Sequence, residues 1–443
     1  MREGEEHQVR DLLLGYGLFA MYYIMTVYAI YFVIMTFSFR KIASIVKGTF
    51  YSRFRSLAVS DHVPPVSILV PSYNEELTII ESVRSLLSLE YPEYEVLVVN
   101  DGSADRTLDV LIGEFGLTAL PDSELPKSCA LEASPIRAVY HNPEYPNLYV
   151  LDKPNGGKAD ALNVGINFSH YPLICTIDAD SLLDRDALIR MVRVYMENPA
   201  ETVAVGGNVR IANGCRIENG TVKDVRLPRK LLPMLQSIEY LKAFLGGRIG
   251  WSSVNALLII SGAFGLFRKQ DVINVGGYRE GFPGEDMNIV LKLHKSMLEQ
   301  KRKYRIAFCP DAVCWTQAPD TLRILGSQRK RWGRGNLKNM WEFRHLFFNP
   351  KYRQIGLFAI PYNVLFETLN PYFKITGFLA LVGYVSMDMT KWYILLTFFL
   401  VNMMISLIFN CGAMLLEEIA FRRYSKARDA WRMVAFALLL SLG

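Results

Sequence analysis

Charge is absent from residues 12–37 and again from 392–416, and no acidic residue occurs from 38 to 60. Paired cysteines are absent too. Cys129, Cys175, Cys215, Cys309, Cys314 and Cys411 form no C-x-x-C pair. That excludes a disulfide scaffold and argues against a structural zinc site; scattered single cysteines fit free thiols in a reducing compartment. The chain also lacks any long Lys/Arg tract with interleaved aromatics, and its net charge is a modest +6. Nucleic acid is therefore not an expected partner. What is present is a mixed composition, 51% hydrophobic with mean hydropathy +0.16 over 443 residues. This is too apolar for an ordinary soluble enzyme and not apolar enough for a pure membrane bundle. The length allows two or more domains.

A helix of about 20 apolar residues crosses a bilayer core, so residues 12–37 can span even when tilted. They are too long for a signal-peptide core. Arg40, Lys41, Lys47, Arg53 and Arg55 follow them and mark the cytoplasmic side. Two further regions are expected to span, one at about 355–385, interrupted by Pro361, Glu367, Pro371 and Lys374, and one at 392–416. The link at 417–432 carries Arg422, Arg423, Lys426, Arg428 and Arg432, which places it inside and agrees in parity with the first helix. A last apolar run opens at Met433, and the residues from there to Gly443 are too few to span, which points to a chain continuing past Gly443. The expected organisation is a membrane helix and basic flank over 1–60, a cytoplasmic domain over 61–345 and a membrane region over 346–443. Such a protein would be a multi-pass component of the cell membrane. Glu367 and Lys374 read equally as charges snorkelling to the interface or as the polar lining of a passage for a hydrophilic product.

Within 61–345, short apolar strands at 65–71, 96–100 and 173–177 alternate with amphipathic stretches at 76–89, 107–115 and 159–168. This alternation indicates an α/β domain with a mainly parallel sheet, whose ligands bind at the carboxyl ends of the strands. Polar groups lie at those ends. Tyr73, Asn74 and Glu75 follow the first strand, Asp101-Gly102-Ser103 the second and Asp178-Ala179-Asp180 the third. Between the last two, Gly156-Gly157-Lys158 allows an anion to approach the backbone at a helix start. Asp178 and Asp180 have the spacing to hold Mg²⁺ or Mn²⁺ against a substrate diphosphate. Glu285-Asp286 either caps the helical run at 289–298 or supplies a general base. Gln328-x-x-Arg331-Trp332 can hydrogen-bond a sugar, hold a phosphate and stack on a pyranose ring. Residues 206–229, with Asn213-Gly214 and Asn219-Gly220, read as an inserted hairpin, and 121–149 as a polar insert. Mixed apolar and basic stretches at 231–244 and 336–348 read either as interface helices or as ordinary core helices.

Taken in order, Asp101, the Asp178-Ala179-Asp180 pair, Glu285-Asp286 and Gln328-x-x-Arg331-Trp332 resemble the D, DxD, D, QxxRW signature of processive family 2 glycosyltransferases. Those are the membrane-embedded synthases of cellulose, chitin, hyaluronan and poly-N-acetylglucosamine. The resemblance covers about 61–345 and the flanking helices, and residues 261–268 resemble the acceptor-side segment of these enzymes. It implies a GT-A-type nucleotide-sugar domain. Tyr73, Glu75 and Asp101 would hold the uridine of a UDP-sugar, and Lys158 would meet the diphosphate or donor sugar. Asp178 and Asp180 would serve nucleotide and metal, Asp180 as the more direct ligand. Asp286 would be the base, Arg331 would steady the diphosphate, Trp332 would stack under the terminal acceptor sugar and Gln328 would orient it. The implied reaction inverts an α-linked donor to a β-glycoside and extends a polysaccharide, with UDP-N-acetylglucosamine the preferred donor, the bilayer as support and room for accessory export proteins. Gly-Glu-Asp stands where several such synthases have Thr-Glu-Asp or Asp-Asp. Two other readings stay open: a non-processive transferase acting on a lipid-linked acceptor, and a non-catalytic transporter or scaffold on a vestigial fold.

Overall fold

Strand β1 (Val66–Ser72) is buried along nearly its whole length, and β2 (Tyr94–Asp101) along all of it. Strands of this kind need cover on both faces, and the chain supplies it with helices in the crossovers. The computed structural model describes residues 2–47, 63–121, 130–424 and 427–441. Arg53, Arg55, Cys129, Lys426 and residues 122–129 of the polar insert lie outside them. The other strands are β3 (Thr118–Ala119), β4 (Ala138–His141), β5 (Leu148–Lys153), β6 (Leu173–Thr176), β7 (Leu182–Leu183), β8 (Thr202–Ile211), β9 (Arg216–Glu218), β10 (Thr221–Asp224), β11 (Gly265–Arg268) and β12 (Arg305–Thr316).

Ten of these strands form one sheet in the order β3-β4-β5-β2-β1-β6-β11-β8-β12-β7. It is mixed, not mainly parallel as the strand-helix alternation suggests. The β5-β2-β1-β6 block is parallel, with the helices Ile79–Leu87, Thr107–Phe115 and Lys158–Phe168 in its connections. β11 runs antiparallel to both β6 and β8, β7 antiparallel to β12, and β4 antiparallel to β3 and β5. For β11 the departure has a topological cause: the excursion through residues 231–264 returns the chain to the sheet at the end where β8 left it, so β11 runs back against β8 and β6. The predicted hairpin exists as β9 and β10, with Asn219 (φ 48°) and Gly220 (φ 68°) supplying the left-handed turn. Residues 206–211, read as part of that insert, instead complete the central strand β8.

Among the described residues, two helices are long and apolar enough to cross a bilayer, over Glu5–Ile45 and Met389–Ala420. The region at 355–385 does not form one continuous span. It divides at Leu369 into an apolar stretch Ile355–Thr368 with π-helical turns and the helix Asn370–Met387. Pro361 and Pro371 each stand in the first turn of a new helical segment, because neither can donate to a continuing ladder. The last apolar run lies in the helix Ala427–Ser441.

The catalytic-domain sheet and the helices are tied together. The segment Lys242–Ser253 meets the first helix where Ser38 Oγ donates to Gly246 O at 2.9 Å, and a Cβ at Gly250 would lie 2.4 Å from Ile34 O. Arg210 of β8 forms an ion pair with Glu417 of the Trp392–Ala420 helix, both at most 2% exposed. Nearby, Arg423 pairs with Asp184 at 2.7 Å, and Asp184 also accepts from Trp315 Nε1 at 2.8 Å.

Candidate active site

The strand ends of the parallel block carry the polar loops to one edge of the sheet. Asn74, held at φ 57°, knits the loop after β1 to the loop after β2: its backbone N–H donates to Ser103 Oγ at 3.0 Å and its Oδ1 accepts from Ala104 N–H at 2.8 Å. Glu75 N–H donates to Thr107 Oγ1 at 2.8 Å, and Glu75 Oε2 accepts from Thr78 Oγ1 at 2.6 Å. Tyr73, just before Asn74, is half exposed. Asp101 is different. It is buried, and its carboxylate accepts from Gly156 N–H at 2.9 Å, Gly157 N–H at 2.8 Å and the buried Lys153, which also pairs with Asp160 at 2.5 Å. Asp101 thus positions the glycine pair before Lys158, and its oxygens are occupied by donors of the chain itself.

Lys158 opens the helix Lys158–Phe168 and forms an ion pair with Asp178, with Glu285 Oε1 3.5 Å away. Burial works against the ammonium, but Asp178, Glu285 and Asp286 outweigh it and hold its pKa well above the usual lysine range. Gly262 closes over this cluster. A Cβ there would sit 2.8 Å from Lys158 Nζ and 3.7 Å from both Asp286 Cβ and Glu285 Oε1. Behind it, Leu162, Thr176, Ser261, Tyr278, Glu285 and Asp286 line a small cavity.

Glu285 and Asp286 occupy the first turn of the helix Glu285–Glu299, which starts at Gly284 with φ 85°. An acidic first turn suits the helix dipole, which fits the helix-start reading of these two residues. Burial, then the charge of Glu285, pushes the Asp286 carboxyl up to about 6 against the opposing pull of Lys158, the Met287 N–H bond and Arg248. Asp180 is pushed up to about 6 by burial first and then by Asp178 and Glu75. Lys158 pairs with Asp178 and Glu285, while Asp180 faces Asp178 and Glu75 and forms no ion pair among the described residues, so its side of the site is short of positive charge. That fits a hard divalent cation held through Asp180 and Asp178. Among the described residues no three Asp, Glu, His or Cys side chains converge as a closed cage. Such an ion would need its other oxygens from substrate and water.

Gln328, Arg331 and Trp332 lie inside the helix Leu322–Glu342, which begins well before the stretch at 336–348 read from the sequence. Arg331 and Trp332 are exposed, the Arg329 guanidinium lies 4.9 Å from the Trp332 ring centre, and Gln328 Oε1 is buried without a partner. Among the described residues no hydrogen bond or ion pair joins these three side chains to the Lys158 cluster. Their helix is anchored to it through the backbone. Gly335 meets Gly284 closely enough that a Cβ would fall 3.1 Å from Gly284 Cα, and Asn339 Nδ2 donates to Gly284 O at 2.9 Å and pairs with Asn288 at 3.0 Å.

Sequence reasoning passed over Arg248. It ends the π-helical turn Lys242–Arg248, lies 3.8 Å from the Phe244 ring centre, and keeps Nη1 buried without a partner. No motif or periodicity marks it. Lys153 and Asp160 were also unmarked, although Lys153 ends a strand one residue before the loop that it braces.

Residues 173–410 match the profile described as glycosyl transferase family group 2, and residues 67–113 that of glycosyl transferase family 2. Among curated relatives, the chain is similar to poly-beta-1,6-N-acetyl-D-glucosamine synthases. That of Staphylococcus epidermidis is 32% identical over 64% of this chain and 59% of its own length; that of Staphylococcus aureus is 30% identical over 70% and 64%. The match thus spans about three fifths of those relatives. A solved mannosyltransferase of Pyrobaculum calidifontis, in complex with GDP-Man and Mn²⁺, shares the fold with a TM-score of 0.52 at 20% identity, over 92% of this chain and 97% of that one. With the mixed sheet of a GT-A-like enzyme, carboxylates at its strand ends and more than half of its length under one profile, the chain belongs to glycosyl transferase family group 2.

Proposed function

We propose that the protein is a membrane-embedded inverting glycosyltransferase that moves N-acetylglucosamine from UDP-N-acetylglucosamine onto a growing β-linked polysaccharide at the cytoplasmic face. The observation that carries the reading is the meeting of Lys158, Asp178, Glu285 and Asp286 under Gly262. A cation for the diphosphate and a carboxylate for the acceptor proton stand side by side there. Kinship to the poly-beta-1,6-N-acetyl-D-glucosamine synthases supports the choice of donor and product.

In this mechanism the acceptor hydroxyl oxygen attacks the anomeric carbon of the donor while Asp286 removes its proton. The carbon–oxygen bond to the diphosphate breaks from the opposite face, and its electron pair leaves with UDP. Attack from behind inverts the anomeric centre. Lys158 and Arg331 receive the developing charge on the diphosphate, and Tyr73 and Glu75 hold the nucleoside end. Trp332 stacks on the acceptor sugar, with Gln328 orienting it. Asp180 and Asp178 would hold Mg²⁺ or Mn²⁺, which when bound supplies positive charge to the leaving diphosphate. The helices over Glu5–Ile45 and Met389–Ala420, with the broken segments between 355 and 387, would seat the domain on the membrane and pass the product outward.

Product analysis tests the reading. Purified protein supplied with radiolabelled UDP-N-acetylglucosamine should yield a polymer of more than a few sugars that a β-N-acetylglucosamine-specific glycosidase digests. A product limited to one sugar on a lipid would overturn the polymer part.

A further inference from the structure

A cavity of about 600 Å³ opens on the far side of the hairpin β9–β10, away from the carboxylate cluster. That size is typical of small-ligand sites. Its charge is unbalanced. Arg226, Arg229, Lys230, Arg428 and Arg432 line it, against Asp320 and Asp429. Lys230 is paired with Asp320 at 2.5 Å and Arg432 lies 3.7 Å from Asp429, while Arg226 turns to Asp224 at 2.6 Å on the hairpin. Arg229 and Arg428 have no acidic partner among the described residues, and they stand on opposite walls. One wall is the start of the helix Leu231–Leu241, the other the start of the helix Ala427–Ser441. Cations at a helix start oppose the helix dipole, so these guanidiniums sit where the fold itself disfavours them. An anion between the walls would relieve both, and guanidinium groups bind phosphate oxygens in paired hydrogen bonds.

We propose that this cavity binds a phosphate-bearing anion. One wall of the cavity is the start of the helix Ala427–Ser441, which follows the helix Met389–Ala420; resting on the reading of Met389–Ala420 as a membrane span, that start would lie near the headgroups, where an anionic lipid supplies such a group. The occupant would bridge the hairpin of the catalytic domain to the helix that follows the span. Arg432, which also donates to Pro228 O at 2.9 Å, already joins the two walls.

The test uses the full chain in nonionic detergent, with native mass spectrometry counting retained phosphatidylglycerol against phosphatidylcholine and with inorganic pyrophosphate as soluble competitor. Wild type should retain phosphatidylglycerol selectively. Arg229→Gln and Arg428→Gln should each weaken binding about fivefold, and the double variant about thirtyfold. Arg216→Gln, which removes a cation of the same hairpin outside the cavity, should leave binding unchanged. Displacement by pyrophosphate would assign the site to a free phosphate compound, and failure to displace would assign it to a headgroup; both uphold the site. Wild-type retention by the double variant, or equal loss in Arg216→Gln, would overturn it. The readout is binding, so its failure leaves the transferase reading standing, and the reverse holds as well.

Discussion

Asp286 has a carboxyl whose proton affinity is set by its surroundings. Burial and Glu285 raise it to about 6, so the base form predominates only above that value. The rate of sugar transfer should therefore fall as pH drops through about 6, a profile read from initial rates with saturating donor; a rate flat down to pH 4.5 would remove Asp286 from the role of base. The sign for folding is opposite. A carboxyl raised from 3.8 contributes stability below that value and loses it as pH rises through about 6, so the site is held at a cost to the fold under working conditions. At this scale the sequence was informative where chemistry leaves a local mark. Asp178, Asp180, Asp286 and Lys158 stand at strand ends or helix starts, and spacing alone reveals such positions. It was silent on Arg248 and on the internal duty of Asp101, because both depend on partners distant in the chain.

Elements carry the site more than loops do. The helix bearing Gln328, Arg331 and Trp332 touches the helix that carries Asp286 through Gly335 and Gly284, backbone against backbone. Gly335→Ala would place a Cβ 2.9 Å from Pro283 O, where no flexible atom can yield. This substitution should cost about 1–3 kcal/mol in chemical denaturation and lower kcat more than the donor KM. An unchanged kcat would separate the helix Leu322–Glu342 from catalysis. Strands β1, β2 and β6 and the three helices of the parallel block were legible from period and apolar runs, whereas β4 and the start of β5 fall within the stretch 121–149 that was read as a polar insert. The antiparallel partners β11, β7 and β4 were not legible, because a short apolar run fixes neither the direction of a strand nor its neighbours. The region at 355–385 was read as one apolar region with interruptions at Pro361, Glu367, Pro371 and Lys374. Its prolines, visible in the sequence, divide it in the structure.

At the scale of the whole molecule, the ion pair of Arg210 and Glu417 fastens the sheet to the second long apolar helix. Neither residue drew notice in the sequence, Arg210 lying ahead of the turn signals in the stretch read as an inserted hairpin and Glu417 opening a charged link. Removing one partner strands the other in an apolar interior. Glu417→Ala should thus lower stability by about 3–5 kcal/mol, read as a lower Tm in detergent, and Arg210→Met with Glu417→Leu should recover much of the loss. A Tm unchanged in Glu417→Ala would show that the interface does not depend on the pair. Through such ties the transferase domain keeps its fixed seat beside the helices that would carry its product. The measurement that bears most directly on the central claim is UDP release by Asp286→Asn protein at pH 8, with donor and acceptor saturating. Loss of about 10²–10⁴-fold in rate, with donor binding and Tm at least equal to wild type, is the predicted result. UDP release at the wild-type rate would contradict it.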